Sequence, residues 1–414
     1  MAKTDNLKKN FIWNSVGSFV NAFISLFFMI IVTRINGIDE AGIFTFAFSL
    51  ACLFYVIGYF SGRTFQVTNT DKKITNCDFL YNRFYTSIIM VACSIIFLLF
   101  KKYSLYKNTI ILLFVLFRFI ESIADSLYGI LQQDDKLYKV GISLFLKGLF
   151  SIIAFFIVDL TTKNVILSIL SIIIVNIIIL IFYDLKNTKK LIKIKKFDRN
   201  INYKLIKTGV FIFGVAFLTQ YILNAPKYEI DRLLTDDLQA FYGIIAMPAT
   251  IIILCSQMIV QPVLMKLKTI INNNNTKELN LNLIKISLLI ILIGIISIIL
   301  AWIAGVPVLK LIYGVDISKY LLGLLLILLG SIFYSISFLI STVLIAYRKT
   351  FVQIVIFAIS SLIAPFLSNY LIKNYNIIGA SYAYLIIMFV LLMLYIIYYV
   401  FYISSKRSKI WKTK

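Results

Sequence analysis

The chain has 414 residues, 61% of them hydrophobic and 14% charged, with a mean hydropathy of +0.93. That balance excludes a soluble globular domain. The formal net charge of +23 comes with no histidine at all, which removes the commonest metal ligand and the usual proton shuttle.

A bilayer core about 30 Å thick needs roughly 20 apolar residues per helix. Runs such as 166–183, ILSILSIIIVNIIILIFY, show no alternation of apolar and polar residues, so a β-barrel is not expected. The apolar runs predict twelve helical spans, near 11–33, 41–62, 79–100, 108–131, 139–160, 164–184, 208–226, 238–263, 282–306, 318–345, 350–372 and 377–402. The first stretch is too long for the core of a cleavable signal and has no small-x-small cleavage site, so it is expected to remain as an anchor.

In the first span Asn14, Ser18, Asn21 and Ser25 fall on one helical face. The fourth is the most informative. Arg118, Ser122, Asp125, Gly129 and Gln132 form a stripe with Glu121 beside it. Arg118 sits near mid-span, where a charge costs roughly 2.5–3.5 kcal/mol and faces a partner or a cavity. Glu121, three residues on, is its natural partner. A turn near Asp135 leads into the fifth span and puts Lys147 at nearly the depth of Asp125, so a second ion pair, Asp125–Lys147, is predicted. Either these pairs only hold helices together, or they line a polar, partly cationic cavity able to accept an anion, with an acid free to exchange a proton.

After the sixth span comes the longest polar stretch, 185–207, with nine cations from Lys186 to Lys207 and the apolar residues Leu191, Ile192, Ile194, Phe197, Ile201, Leu205 and Ile206 among them. It reads as an amphipathic helix lying in the membrane interface. The expected layout is an N-terminal six-helix lobe (1–184), this cytoplasmic basic linker (185–207), a C-terminal six-helix lobe (208–402) and a basic cytoplasmic tail (403–414). In the seventh span Gln220, Asn224, Lys227 and Asp231 repeat the polar spacing of the first, with Tyr221 adjacent. A weak internal repeat supports the division: Arg34-Ile-Asn-Gly-Ile-Asp-Glu-Ala-Gly-Ile-Phe after the first span, and Arg232-Leu-Leu-Thr-Asp-Asp-Leu-Gln-Ala-Phe-Tyr-Gly after the seventh. Six spans per lobe give the two lobes the same orientation, as in parallel-repeat transporters.

Most of the 41 Lys and Arg residues fall on one side of this topology. The positive-inside bias then places both termini in the cytoplasm. The charge is explained by orientation and by attraction to anionic membrane lipids, and no nucleic-acid partner is expected. Cys52, Cys93 and Cys255 lie in spans and Cys77 in a cytoplasmic loop, so no disulfide is expected. Asp134-Asp135 and Asp236-Asp237 could serve as metal-binding carboxylates of a membrane glycosyltransferase, but the chain lacks the large outer loops such an enzyme uses. There is no phosphate-binding loop for ATP hydrolysis, and no enzyme activity, cofactor or metal is expected.

The segment Asn224-Ala-Pro-Lys-Tyr-Glu-Ile-Asp-Arg232, followed by Ala240-Phe-Tyr-Gly243 and Pro248, resembles polysaccharide repeat-unit flippases. These are the Wzx-type O-antigen and capsule transporters of the multidrug/oligosaccharidyl-lipid/polysaccharide exporter superfamily. Asn14, Gly17, the turn at 39–44 and Gln261-Pro262 fit as well. The resemblance implies a V-shaped, alternating-access pair of six-helix bundles in the bacterial cytoplasmic (inner) membrane. Its implied cargo is an undecaprenyl-pyrophosphate-linked oligosaccharide moved from the cytoplasmic to the outer leaflet, with a polysaccharide polymerase and a chain-length regulator as partners. Arg118, Lys147, Arg34, Arg63 and Lys227 are the expected pyrophosphate contacts. Asn14, Asn21, Gln220, Asn224 and Tyr221 are the expected sugar contacts, and Glu121 or Asp125 the site coupled to an ion gradient. The runner-up is a multidrug or organic-cation antiporter of the same superfamily, expected to carry unpaired acids; a membrane polymerase or glycosyltransferase comes third.

Overall fold

A computed structural model describes residues 2–71, 73–273 and 275–412, and leaves aside the side chains of 2–7, 262, 265 and 406–412. Lys72 and Lys414 therefore lie outside the described residues, as do the side chains of the other tail cations from 406 on. The protein is all-helical, and there is no strand among the described residues.

The helices are α1 (Ala2–Ile35), α2 (Ile38–Tyr59), the short α3 (Gly62–Val67), α4 (Asn76–Phe100), α5 (Leu105–Gln133), α6 (Leu137–Thr162) and α7 (Val165–Ile179). The last of these runs on as a π-helix, Leu180–Leu185, into the single turn α8 (Lys186–Thr188). Then come α9 (Arg199–Leu233), α10 (Asp236–Asn272), α11 (Thr276–Tyr313), α12 (Leu321–Ala346) and α13 (Thr350–Lys412). α13 is two helices, broken where Asn376 takes φ 49° and ψ −132°. The predicted twelve spans are all present. Among the described residues ten segments are long and apolar enough to cross a membrane; the break at Asn376 makes two of the last. α5 supplies the twelfth. At 29 residues it is long enough, but every membrane-length stretch of it contains three of Lys107, Arg118, Glu121 and Asp125.

Side-chain chemistry marks the helix ends. Thr75 and Asp78 form a capping box at α4, Asn164 accepts the Ile166 and Leu167 amides at α7, and Gly314 closes α11 at φ 77°. Each satisfies backbone groups that a helix terminus leaves unpaired. The two repeated motifs fall at equivalent places, the α1–α2 turn and the α9–α10 turn.

The chain forms two compact units, 1–220 and 221–414, with the boundary inside α9. In the first, polar side chains are drawn into the interior while many large apolar ones face outward. α4 turns Asn82, Arg83, Thr86, Ser87 and Ser94 inward and exposes Phe84, Ile88, Ile95 and Leu99. Ser122, Ser126, Ser143, Ser151 and Ser168 are wholly buried. Lipid tails give apolar side chains no reason to hide, so small and polar residues make the helix contacts instead. In the second unit the buried polar residues among those described are amides and hydroxyls, without a charge. Gln353 and Ser341 bond reciprocally between α13 and α12, at 2.8 and 2.9 Å.

The interfacial helix expected over 185–207 does not form as one element. Residues 192–198 are non-helical, and 199–207 belong to α9. Ile192 and Ile194 alternate with Lys193 and Lys195, a period-two pattern, and side chains of α4 take the carbonyls a helix would use. Tyr81 donates to the Lys195 carbonyl at 3.0 Å and Asn76 to that of Leu191 at 3.4 Å. Further on, Asn82 bonds Asn202 at 2.8 Å and Lys204 meets Asp71 at 2.6 Å. The linker is thus a strap tied to the first unit. The Lys204 ammonium, bonded to the exposed Asp71, holds that carboxyl below its ordinary pKa.

Candidate functional site

Within the first unit lies a polar cavity of about 240 Å³. α1 contributes Ser18 and Asn21, α2 Tyr55, α3 Arg63, α5 Glu121, Asp125 and Tyr128, α6 Lys147, and α7 Asn176. The periodicity of each helix delivers these side chains to one interior face, and α3 exists because the chain breaks after α2. Phe60 takes φ 45° and Gly62 φ 73°. A Cβ at Gly62 would stand 2.3 Å from the Tyr59 ring, so the turn that swings Arg63 inward requires glycine.

Three charged clusters surround the cavity. In the first, Asp125 sits between Arg83 at 3.4 Å and Arg63 at 3.9 Å. Arg83 also donates to the Gly58 carbonyl at 3.4 Å and lies over the Tyr59 ring at 5.0 Å. In the second, Arg118 pairs with Glu121 and donates to Cys52 Sγ at 2.9 Å. Its guanidinium is stacked among Phe48, Tyr55 and Phe117, with centroid distances of 4.7, 5.3 and 5.6 Å. In the third, Lys147 donates to Asp184 at 2.6 Å and to the Tyr128 hydroxyl at 2.9 Å. The cations Arg63, Arg83, Arg118 and Lys147 stand against the anions Glu121, Asp125 and Asp184, four against three, a local excess of one positive charge.

The predicted Arg118–Glu121 pair forms. The predicted Asp125–Lys147 pair does not. The α5–α6 hairpin brings both residues to one cavity, but Asp125 turns toward α3 and α4 and Lys147 toward the end of α7. Equal depth along a hairpin does not fix the direction around each helix. Arg118, expected to face the ligand, is absent from the cavity wall, and Glu121 takes that place. Asn14 also lies off the wall, beside Gly141 on α6. Arg34 is exposed in the last turn of α1. Gln220, Tyr221, Asn224 and Lys227 are half-buried on α9 and do not line this cavity; Tyr221 stacks on Tyr228 at 5.9 Å.

Sequence reasoning passed over Arg83, Tyr128, Asn176 and Asp184. Asn176 was legible as the one amide inside α7, where Ser168 and Ser171 are the only other polar residues. Arg83 and Asp184 lie near span ends, where a charge ordinarily means the boundary of the membrane.

Asp159, near the end of α6, has different company. It is wholly buried, and no salt bridge to it is found among the described residues. Asn36 Nδ2 donates to its Oδ1 at 3.1 Å and the Ser168 hydroxyl donates to the same oxygen at 2.9 Å. Asp159 Oδ2 and Asn36 Oδ1 are both buried and both lack a donor. A hydrogen on the carboxyl would let Oδ2 donate to the Asn36 side-chain oxygen and close a reciprocal acid–amide pair.

No family model matches the sequence. The chain is 26% identical over 392 residues to the capsular polysaccharide biosynthesis protein CapF of Staphylococcus aureus, covering 92% of this chain and 96% of that protein. Among solved structures it is similar to an inward-facing multidrug transporter of the MATE family in the MOP superfamily. The TM-score is 0.71 at 11% identity, over 95% of this chain and 99% of the other. The lipid II flippase MurJ, in an inward closed conformation, gives a TM-score of 0.68 at 16% identity, over 93% and 87%. The fold is therefore the multi-pass membrane transporter fold of these proteins. The resemblance to polysaccharide-export proteins read from Asn224 to Pro248 is borne out by the capsule-biosynthesis relative, and the expected fold by the solved transporter structures.

Proposed function

We propose that this protein is a flippase for undecaprenyl-pyrophosphate-linked oligosaccharide repeat units, moving them from the cytoplasmic to the outer leaflet for capsular or O-antigen polysaccharide synthesis. The observation that carries the reading is a polar cavity with two fixed cations, Arg63 and Lys147, in its wall, ringed by charged clusters that together carry one excess positive charge. Arg63 is its accessible cation: its side chain is 30% exposed and Asp125 holds it loosely. Lys147 lines the same space and spends two of its three hydrogens on protein partners. Fixed cations in a water-poor site suit a diphosphate, while Ser18, Asn21 and Asn176 offer hydrogen bonds to sugars. The lipid tail stays in the bilayer. Arg118 acts from behind the wall through Glu121, and Arg34, Lys227, Gln220, Tyr221 and Asn224 serve the path outside this cavity.

The antiporter reading for organic cations is less well served. Each carboxylate at the cavity, Glu121, Asp125 and the Asp184 behind it, already has a cation, so none is left to attract a second one. The same fact moves the ion-coupling site. Glu121 and Asp125 are each paired with arginine, whereas Asp159 is bonded to Asn36 and Ser168 with no cation beside it among the described residues, the surroundings of a carboxyl that exchanges a proton. The membrane is the bacterial cytoplasmic one, with both termini inside, and a polymerase takes up the product on the other face.

The test is translocation of a fluorescent lipid-diphosphate-linked sugar in proteoliposomes. Arg63→Ala is expected to lower the rate at least about tenfold, the loss of one charge-assisted contact, with normal folding because its pairing is loose. A well-folded Arg63→Ala protein that translocates at the wild-type rate sinks the anion-cavity reading. Asp159→Asn, which keeps shape but cannot exchange a proton, is expected to leave cargo binding intact and abolish the response to an imposed pH gradient. An unchanged pH response would remove Asp159 from the coupling.

A further inference from the structure

The cavity cation Lys147 is held by a carboxylate that the cavity wall does not include. Asp184 is wholly buried and lies in the only π-helical segment among the described residues, Leu180–Leu185. A π-turn contains an extra residue relative to an α-helix, and such turns are rare and concentrate at functional sites. The carboxylate is also half satisfied. Asp184 Oδ2 meets Lys147 at 2.6 Å, while Oδ1 is buried with no donor. A pair serving stability alone would fill that position, because an open buried lone pair on a charged group is costly. Beside it stands a second rung between the same helices: Lys139, two turns before Lys147 on α6, donates to Asn187, about one turn beyond Asp184, at 2.7 Å.

We propose that Asp184 is an internal stand-in for the ligand's anionic group. It occupies Lys147 while the cavity is empty and is displaced when a phosphate-bearing headgroup enters. The π-turn is the slack that permits this. Tightening it to α-helix slides Asp184 along the α6 face away from Lys147 and toward the Lys139 rung, where its charge again has a cation. Lys147 then turns its freed hydrogen to the phosphate. On release, Asp184 returns and competes the product off, which makes the site one that lets go. This inference rests on the reading that the cargo carries a phosphate.

The experiment uses the full-length protein in nanodiscs, titrated with farnesyl diphosphate by calorimetry, and in proteoliposomes for translocation. Asp184→Asn removes the competitor and is expected to bind the probe about tenfold more tightly, since apparent affinity is reduced by the fraction of sites already occupied internally, yet to translocate more slowly. Lys147→Met is expected to bind poorly, and Asp184→Asn added to it to bring no gain. Deleting Phe182, an exposed residue of the π-turn, removes the extra residue while leaving the flanking helices in register; Asp184 then cannot leave Lys147, and the protein is expected to bind the probe more weakly and lose translocation. Asp184→Asn protein with a wild-type melting temperature that binds no more tightly overturns the displacement. So does a Phe182 deletion that translocates normally, and this arm stands even where Asp184→Asn fails to fold. Wild-type protein that binds no farnesyl diphosphate overturns the phosphate reading and the displacement with it; wild-type protein that binds while Asp184→Asn gains nothing overturns the displacement alone.

Discussion

Arg83→Ala is expected to destabilise the first lobe by about 3–5 kcal/mol, the usual cost of stranding one member of a buried ion pair. Arg83 is 7% exposed and Asp125 14%. Without Arg83, Asp125 keeps only the loose contact to Arg63, and the Gly58 carbonyl retains only the Thr86 hydroxyl, at 2.8 Å. The double variant Arg83→Ala/Asp125→Ala separates charge from packing. Removing both partners leaves no stranded carboxylate, so most of the stability should return, while translocation stays low because Arg63 has lost the carboxylate that positions it. Thermal melting of the detergent-solubilised protein reads the first effect and proteoliposome translocation the second. Equal melting losses in the single and double variants would mean that Asp125 does not depend on Arg83. The distances make this cluster the most demanding of the three, since one carboxylate is shared by guanidinia from two different helices.

That cluster also shows why part of the molecule was legible and part was not. Span number follows from the length of apolar runs, a local property, and even the break at Asn376 was marked by the polar pair Lys373-Asn374 beside it. The cavity was legible through Arg118, Glu121 and Asp125 on α5 and Lys147 on α6, because charges in a span need a reason. Their partners were not legible. Asp125 chooses Arg83 and Arg63 over Lys147 by the rotation of α5 against α3 and α4, and rotation is set by packing of neighbours far away in sequence. Asp184 was hidden for another reason: at the end of an apolar run a carboxylate looks like the start of water. The π-turn, which no composition marks, draws it back into the interior. The linker was misread because alternating Ile and Lys over 192–196 satisfies both an interfacial helix and an extended strap, and only the α4 side chains that grip its carbonyls decide between them.

Gly141→Leu is expected to prevent the first lobe from folding. A Cβ at Gly141 would stand 2.1 Å from the Trp13 carbonyl oxygen and 2.5 Å from the Asn14 nitrogen. One at Gly17 would stand 2.1 Å from the Gly141 oxygen. These neighbours are backbone, so no side chain can swing aside. Within a bilayer such close approach is what holds helices together, because burial of apolar surface supplies no driving force there. Extra methylenes forced into a packed interior cost about 1–3 kcal/mol, and a clash with main chain costs more, because α1 and α6 must part. Gly305→Ala is the control: the nearest atom is the end of the flexible Leu324 side chain at 3.0 Å, so that protein should express and melt close to wild type. Protease resistance and yield in membranes measure both. A folded Gly141→Leu protein would show that α1 and α6 can separate without loss. The consequence reaches the cavity directly. α1 brings Ser18 and Asn21, and α6 brings Lys147, so a milder Gly141→Ala protein that still folds should widen the cavity and lose cargo affinity before it loses stability.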